Sequence, residues 1–262
     1  MPTANNDGTA LYYETEGDGE TVAFVGDVGY GAWLWGWQHA AVAGPFEALV
    51  WDLRGTGRSD APPGPYDVAT LAADLEAVLS DAGARNAHLV GAGLGGLVAL
   101  EYARRYSRAE TLTLAGTAAS GDEFADLEEH LFADPADPAA LRESLRAGFT
   151  TDFREAQPDV LDGIMEWRQS DDAGPDAWRA QAAAVEGYDA DPLYEIPIPA
   201  LVLAGEDDPV VPRSAAERLA TDLPKGEFEA FAGRHLFFVE RSRPVNDRLQ
   251  GFLLDHADAD LE

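Results

Sequence analysis

Residues 87–106 constrain this chain more than any other stretch. The apolar run Ala87-His88-Leu89-Val90 leads directly into Gly91-Ala92-Gly93-Leu94-Gly95-Gly96 and then into the helix-like run Leu97 to Tyr106. A strand, a glycine-rich turn and a helix in immediate succession make a tight strand–turn–helix unit. Such a unit belongs to a mostly parallel sheet flanked by helices. The alternation extends to both sides. Tyr66 to Ser80 puts Leu71, Leu75, Val78 and Leu79 on one helical face. Phe46–Trp51, Thr111–Ala115, Ala200–Ala204 and Glu227–Phe231 read as strands, and Arg213–Thr221 and Val245–Asp255 as helices. Thr9–Glu14 and Thr21–Val25 are expected to form a hairpin across Gly17-Asp18-Gly19.

Between residues 121 and 199 the strand pattern stops. Leu127, Leu131, Leu141, Leu145, Phe149, Val160, Ile164, Trp167 and Trp178 recur in helical segments broken by Asp-Pro and Gly-Pro. The expected organisation is an α/β core over 1–120 and 200–262, with 121–199 inserted as a helical cap. Its expected place is the carboxyl edge of the sheet, where open α/β sheets bind ligands.

Composition limits the partners. The 262 residues carry a formal charge of −30, and all but one of the 18 basic residues are arginine, Lys225 being the exception. Such a surface repels nucleic acid and anionic membranes. With carboxylates spread along the whole length, it reads as an acidic, haloadapted surface whose self-repulsion molar salt screens. The absence of cysteine excludes disulfides, thiol nucleophiles and cysteine metal ligands. The start of the chain is polar and no apolar run reaches 18 residues, so a cytoplasmic protein is expected, as monomer or homo-oligomer, with a small molecule as its partner. Without clustered histidines no metal is expected. The glycine-rich turn fits neither a phosphate loop nor a dinucleotide fold in its place along the chain, so no cofactor is expected either.

Four further segments carry a resemblance. Asp52-Leu53-Arg54-Gly55-Thr56-Gly57-Arg58-Ser59 is similar to a D-x-R-G-x-G-x-S loop. Gly205 to Pro212 is similar to G-x-x-D-x-x-x-P, and Arg234-His235 to Glu240 to G-H-x-x-x-x-E with arginine in place of glycine. Leu114 to Ala119 resembles a strand end of 3-oxoadipate enol-lactonases. In this order and spacing, nearly the whole chain resembles the α/β-hydrolase superfamily, in its branch of small esterases, lactonases and cofactor-free haloperoxidase-like proteins. The resemblance implies the α/β-hydrolase fold, with Asp208 as the acid and His235 as the histidine of a catalytic triad.

The chain departs from the family pattern in two places. The turn at 91–96 resembles the strand–turn–helix elbow that carries the nucleophilic serine, and the serine position holds Gly93. After the second core strand the family has His-Gly, and this chain has Gly26-Asp27. The two amides that would donate to an oxyanion are those of Val28 and Leu94. Asp27 beside them would oppose an oxyanion if it faced inward, or serve as one more surface acid if it faced out.

Gly93 leaves an expected space over the helix start for a water or a ligand carboxylate. A serine placed there is expected to restore a nucleophile beside His235. Tyr30, Trp33, Trp35, Trp167 and Trp178 are the expected lining of a pocket for an apolar or aromatic ligand. Two functions follow. One is hydrolysis of a small ester or lactone, with His235 and Asp208 activating water and no acyl-enzyme. The other is non-catalytic binding on a hydrolase scaffold.

Overall fold

The structure is a computed structural model that describes residues 2–257. Eight strands form one mixed sheet in the order β1-β2-β4-β3-β5-β6-β7-β8. These are β1 (Thr3–Asn6), β2 (Thr9–Glu16), β3 (Thr21–Val25), β4 (Glu47–Trp51), β5 (Ala87–Ala92), β6 (Ala109–Ala115), β7 (Ala200–Gly205) and β8 (Gly226–Phe231). β3 to β8 run parallel, and β1 and β2 form an antiparallel edge. Every residue of β3, β5 and β7 is buried, as expected of parallel strands covered on both faces.

The expected opening hairpin does not form. β2 pairs with β4 in the register Tyr13↔Trp51, and β4 separates it from β3. β3 is buried throughout and takes parallel neighbours on both sides, whereas Glu14–Glu16 at the end of β2 are exposed. The actual hairpin joins β1 to β2 through Asp7 and Gly8, both at positive φ. β1 reads Thr-Ala-Asn-Asn, and so polar an edge strand carries no hydrophobic alternation to betray it.

Helices α1 (Gly36–Val42), α2 (Val68–Asp81) and α3 (Leu94–Arg105) follow strands as the alternation requires. The Asp67 carboxylate caps α2 by accepting from the Thr70 amide at 2.7 Å. Between β6 and β7 the chain forms α4 (Leu127–His130), α5 (Pro138–Gly148), α6 (Thr151–Ala156), α7 (Pro158–Asp171) and α8 (Pro175–Val185). Proline opens α5, α7 and α8, where its fixed φ suits a first turn and its missing N–H costs nothing. α9 (Arg213–Asp222) packs on β7 and β8, and α10 (Phe237–Glu240) leads into α11 (Ser242–His256), which packs on α1. No helix among the described residues is long and apolar enough to cross a membrane.

Candidate active site

Four loops meet where the parallel strands end. They follow β3, β5, β7 and β8 and carry Asp27, Gly93, Asp208 and His235. The turn at Gly93 has φ +48° and ψ −114°, a conformation costly for any residue with a Cβ. Gly95 has a different reason to be glycine, since a Cβ there would overlap the Val25 carbonyl. The glycine run thus lets α3 start directly against the end of β3.

The space expected above Gly93 is filled, and by a side chain of this chain. Asp27 faces inward with only 1% of its surface exposed. An ideal Cβ on Gly93 would fall inside the Asp27 carboxyl group, overlapping Cγ and both oxygens. Asp27 Oδ1 accepts from the amides of Val28 at 2.7 Å and Leu94 at 2.8 Å. The two amides therefore do converge on one point, which the Asp27 oxygen occupies. On the other side, His235 Nε2 donates to Asp27 Oδ2 at 2.8 Å.

His235 is held from both sides. Its Nδ1 faces Asp208 Oδ2 and Oδ1 at 2.9 and 3.0 Å. Asp208 is fixed in turn by the amides of Val210 and Val211, which donate to its Oδ1 at 2.8 and 3.1 Å. Burial would lower the proton affinity of the imidazole. The charge and hydrogen bonds of Asp208, followed by those of Asp27, outweigh burial and push the pKa up to about 10. At neutral pH the site is an imidazolium between two carboxylates, and its Nε2 is not free to act as a base.

The five expected aromatic residues do not line one pocket. Trp33 and Trp167 border a cavity together with Trp37, apart from Asp27 and His235. Trp35 is a core residue, packed between Phe24 and Phe238 with centroids at 5.4 and 4.9 Å. Tyr30 is buried beneath the Arg168 guanidinium. Trp178 lies over Gly29, so closely that a Cβ on Gly29 would collide with its ring, and against Phe132. Bulky aromatic side chains in a loop satisfy packing as readily as ligand binding, and sequence spacing does not distinguish the two.

Three residues that hold the site went unread. Arg168 Nε donates to Asp172 Oδ2 at 2.6 Å, and both side chains are almost fully buried. Asp172 Oδ1 accepts from Trp33 Nε1 at 2.8 Å and from the Gly31 amide at 3.2 Å. Gln181 accepts from the Gly29 amide at 2.7 Å and donates to the Arg54 carbonyl at 2.8 Å. All three tie the helices between β6 and β7 to the loop carrying Asp27. The i, i+4 spacing of Arg168 and Asp172 was the available signal, lost among so many surface acids.

Residues 24–248 match the model of the alpha/beta hydrolase family. The chain belongs to that family. Among its relatives, the protein named as carbamate hydrolase RutD in Caulobacter segnis is 30% identical, over 97% of this chain and 99% of the relative. The 3-oxoadipate enol-lactonase 2 of Acinetobacter baylyi is 27% identical over 93% of each. Among solved structures, the enol-lactonase from Burkholderia xenovorans superposes with a TM-score of 0.86 at 26% identity, covering 97% of this chain and all of that one.

Proposed function

We propose that this protein is a hydrolase for a small apolar or aromatic ester or lactone, in which Asp27 takes the place of the serine nucleophile absent at Gly93. The observation that carries this reading is the placement of one carboxylate. Asp27 Oδ1 sits on both oxyanion amides while Oδ2 faces His235. The names of the relatives support the substrate class, and the helical segment 121–199 serves as the cap.

The expected mechanism changes accordingly. With Asp27 in place there is no room for water above Gly93, and His235 starts as an acid. Asp27 Oδ2 attacks the substrate carbonyl carbon, and His235 gives its proton to the departing oxygen. The products of this step are the alcohol or enol and an anhydride on Asp27. Carboxylates are weak nucleophiles, which favours enol or aryl leaving groups over alkoxides. The anhydride is uncharged, so His235 loses one of the two charges that raised its pKa. It then serves as the base that takes a proton from water. As water attacks Cγ of Asp27, negative charge grows on Oδ1, already seated on the Val28 and Leu94 amides. Collapse releases the product acid with the former Oδ2 and leaves a water oxygen in Asp27.

The test is the fate of that oxygen. After turnover of an aryl acetate in ¹⁸O-water, the peptide containing Asp27 should gain label. Asp27→Asn should lower turnover by more than about 100-fold, and His235→Gln should let the acylated enzyme accumulate from 4-nitrophenyl acetate, whose leaving group departs as an anion without the proton of His235. Activity should fall above about pH 10, as His235 loses the proton it donates. Turnover that persists in Asp27→Asn with no label in the wild-type residue would sink the mechanism.

A second reading has its own support. Asp27, His235, Val28 and Leu94 are each at most 2% exposed, and the amides, Asp27 and His235 satisfy one another. A site so complete fits a binding protein on the hydrolase scaffold. In that case a ligand that raises Tm should be recovered chemically intact, with no adduct on either Asp27 or the His235→Gln variant.

A further inference from the structure

A cavity of about 580 Å³ opens beside the loop after β3, and its lining includes neither Asp27 nor His235. Its aromatic wall is built by Trp33, Trp37 and Trp167. The Trp167 ring stacks on Trp33 with centroids 6.4 Å apart and meets Trp37 edge-on at 6.0 Å, leaving Trp167 44% exposed at the rim. Indole faces carry negative electrostatic potential and attract cations more strongly than other side-chain rings.

The wall carries both signs of charge: Arg58, ion-paired with Glu14, and the carboxylates of Asp52 and Asp171. Asp52 is already engaged, since its carboxylate accepts from the amides of Ala32 and Arg58 at 3.1 and 2.9 Å. The Arg58 guanidinium lies 4.0 Å from the centroid of the Tyr12 ring in the same lining, so one aromatic face of the cavity already holds a cation. Asp171 differs. Its carboxylate borders the cavity and has no hydrogen bond or ion pair among the described residues. An unpaired, partly exposed carboxylate next to three indoles suits a positively charged partner with apolar substituents. A hydrated metal ion would leave the rings unused, and a neutral aromatic would leave the acid unpaired.

We propose that this cavity is a binding site for a small organic ammonium ion, methylated on nitrogen, separate from the Asp27–His235 site and independent of its chemistry. Trp33, Trp37 and Trp167 would surround the methyl groups while Asp171 supplies the countercharge. Two buried nitrogens in the lining residues, Trp51 Nε1 and His39 Nε2, have no hydrogen-bond partner among the described residues. Both atoms are buried from solvent, so neither is offered to a ligand in the cavity.

The probe is choline, titrated by calorimetry and tryptophan fluorescence at constant molar KCl, so that general screening of the acidic surface stays fixed. Its uncharged match is 3,3-dimethyl-1-butanol, which has the same shape with carbon in place of nitrogen. Expected are saturable binding of one choline per chain and no saturable binding of the alcohol. Trp167→Ala and Asp171→Asn should each weaken choline about tenfold. Both residues are partly or largely exposed, so both variants should fold, as a circular dichroism melt would verify. Equal binding of the alcohol, affinity unchanged in both variants, or no saturable binding of choline would each overturn the proposal.

Discussion

Asp27 and Gly93 exchange the roles that the family resemblance gives their positions. Where the family has glycine this chain has a carboxylate, and where it has serine this chain has glycine. The exchange is sterically coupled, because a Cβ at 93 cannot coexist with the Asp27 carboxyl group in its present place. Gly93→Ser alone is therefore expected to fail as a restoration. The new side chain would meet backbone strain on the order of 1–3 kcal/mol and would drive Asp27 off two amides and the imidazolium. The expected result is a protein several degrees less stable, with no burst of product from 4-nitrophenyl acetate. Adding Asp27→Gly should remove the collision and free the Val28 and Leu94 amides. It should also return His235 to a single carboxylate partner, so that it can accept the serine proton. The double variant should then show a burst equal to the enzyme concentration. A burst of the same size from Gly93→Ser alone would mean that Asp27 moves aside freely, and would weaken the case that it is the working carboxylate.

Helices α7 and α8 are attached to the loop carrying Asp27 by buried polar contacts as well as by aromatic packing. Arg168 and Asp172 lie inside that junction, with Arg168 also donating to Ser144 Oγ at 2.7 Å and lying over the Tyr30 ring. Removing one member leaves the other charged and buried. Arg168→Leu is thus expected to cost about 3–5 kcal/mol, while exposed pairs such as Arg142 with Asp162 should matter little. Hydrogen exchange should show 158–185 opening before the sheet in this variant, and urea melts equal to wild type would refute the role of the pair. The same elements show what could be read in the chain beforehand. β5, α2, β7 and the closing helix followed from runs of apolar residues, which burial on one or both faces imposes on sequence. Asp208 and His235 sit on loops whose motif spacing is fixed locally, and these loops do meet. The inward turn of Asp27 and the partnership of Asp172 with Trp33 depend on loops distant in sequence converging. No local pattern records that convergence, and a buried acid in a chain this acidic looks like any other. The mistaken hairpin has a similar cause, because strand order is decided by burial across the whole sheet.

Across the whole molecule, carboxylates outnumber basic side chains by thirty. Several exposed arginines are already used in short-range pairs, among them Arg146 with Glu143, Arg179 with Asp176 and Arg218 with Glu123. Such pairs are worth little individually and cannot balance the excess. The remaining repulsion acts over distances that salt controls, since the Debye length shrinks from about 10 Å at 0.1 M to about 3 Å at 1 M. The unfolded chain spreads the same charge over a larger volume, so screening stabilises the compact state more. We propose that the protein is adapted to high salt. Its Tm should rise steeply between 0.1 and 2 M KCl. The Asp27–His235–Asp208 cluster is buried beyond the reach of mobile ions, and its contribution should follow pH in place of salt. The folded-state pKa of His235 is raised above the ordinary value of 6.5 to about 10. Its stabilising charge is therefore fully present below about pH 6.5 and lost as pH rises through about 10. Melts at 2 M KCl across that interval should show a fall in Tm that shrinks in Asp27→Asn, where one of the two countercharges is gone. A fall of equal size in wild type and variant would place the titrating group elsewhere. A Tm indifferent to KCl would refute salt adaptation of the surface.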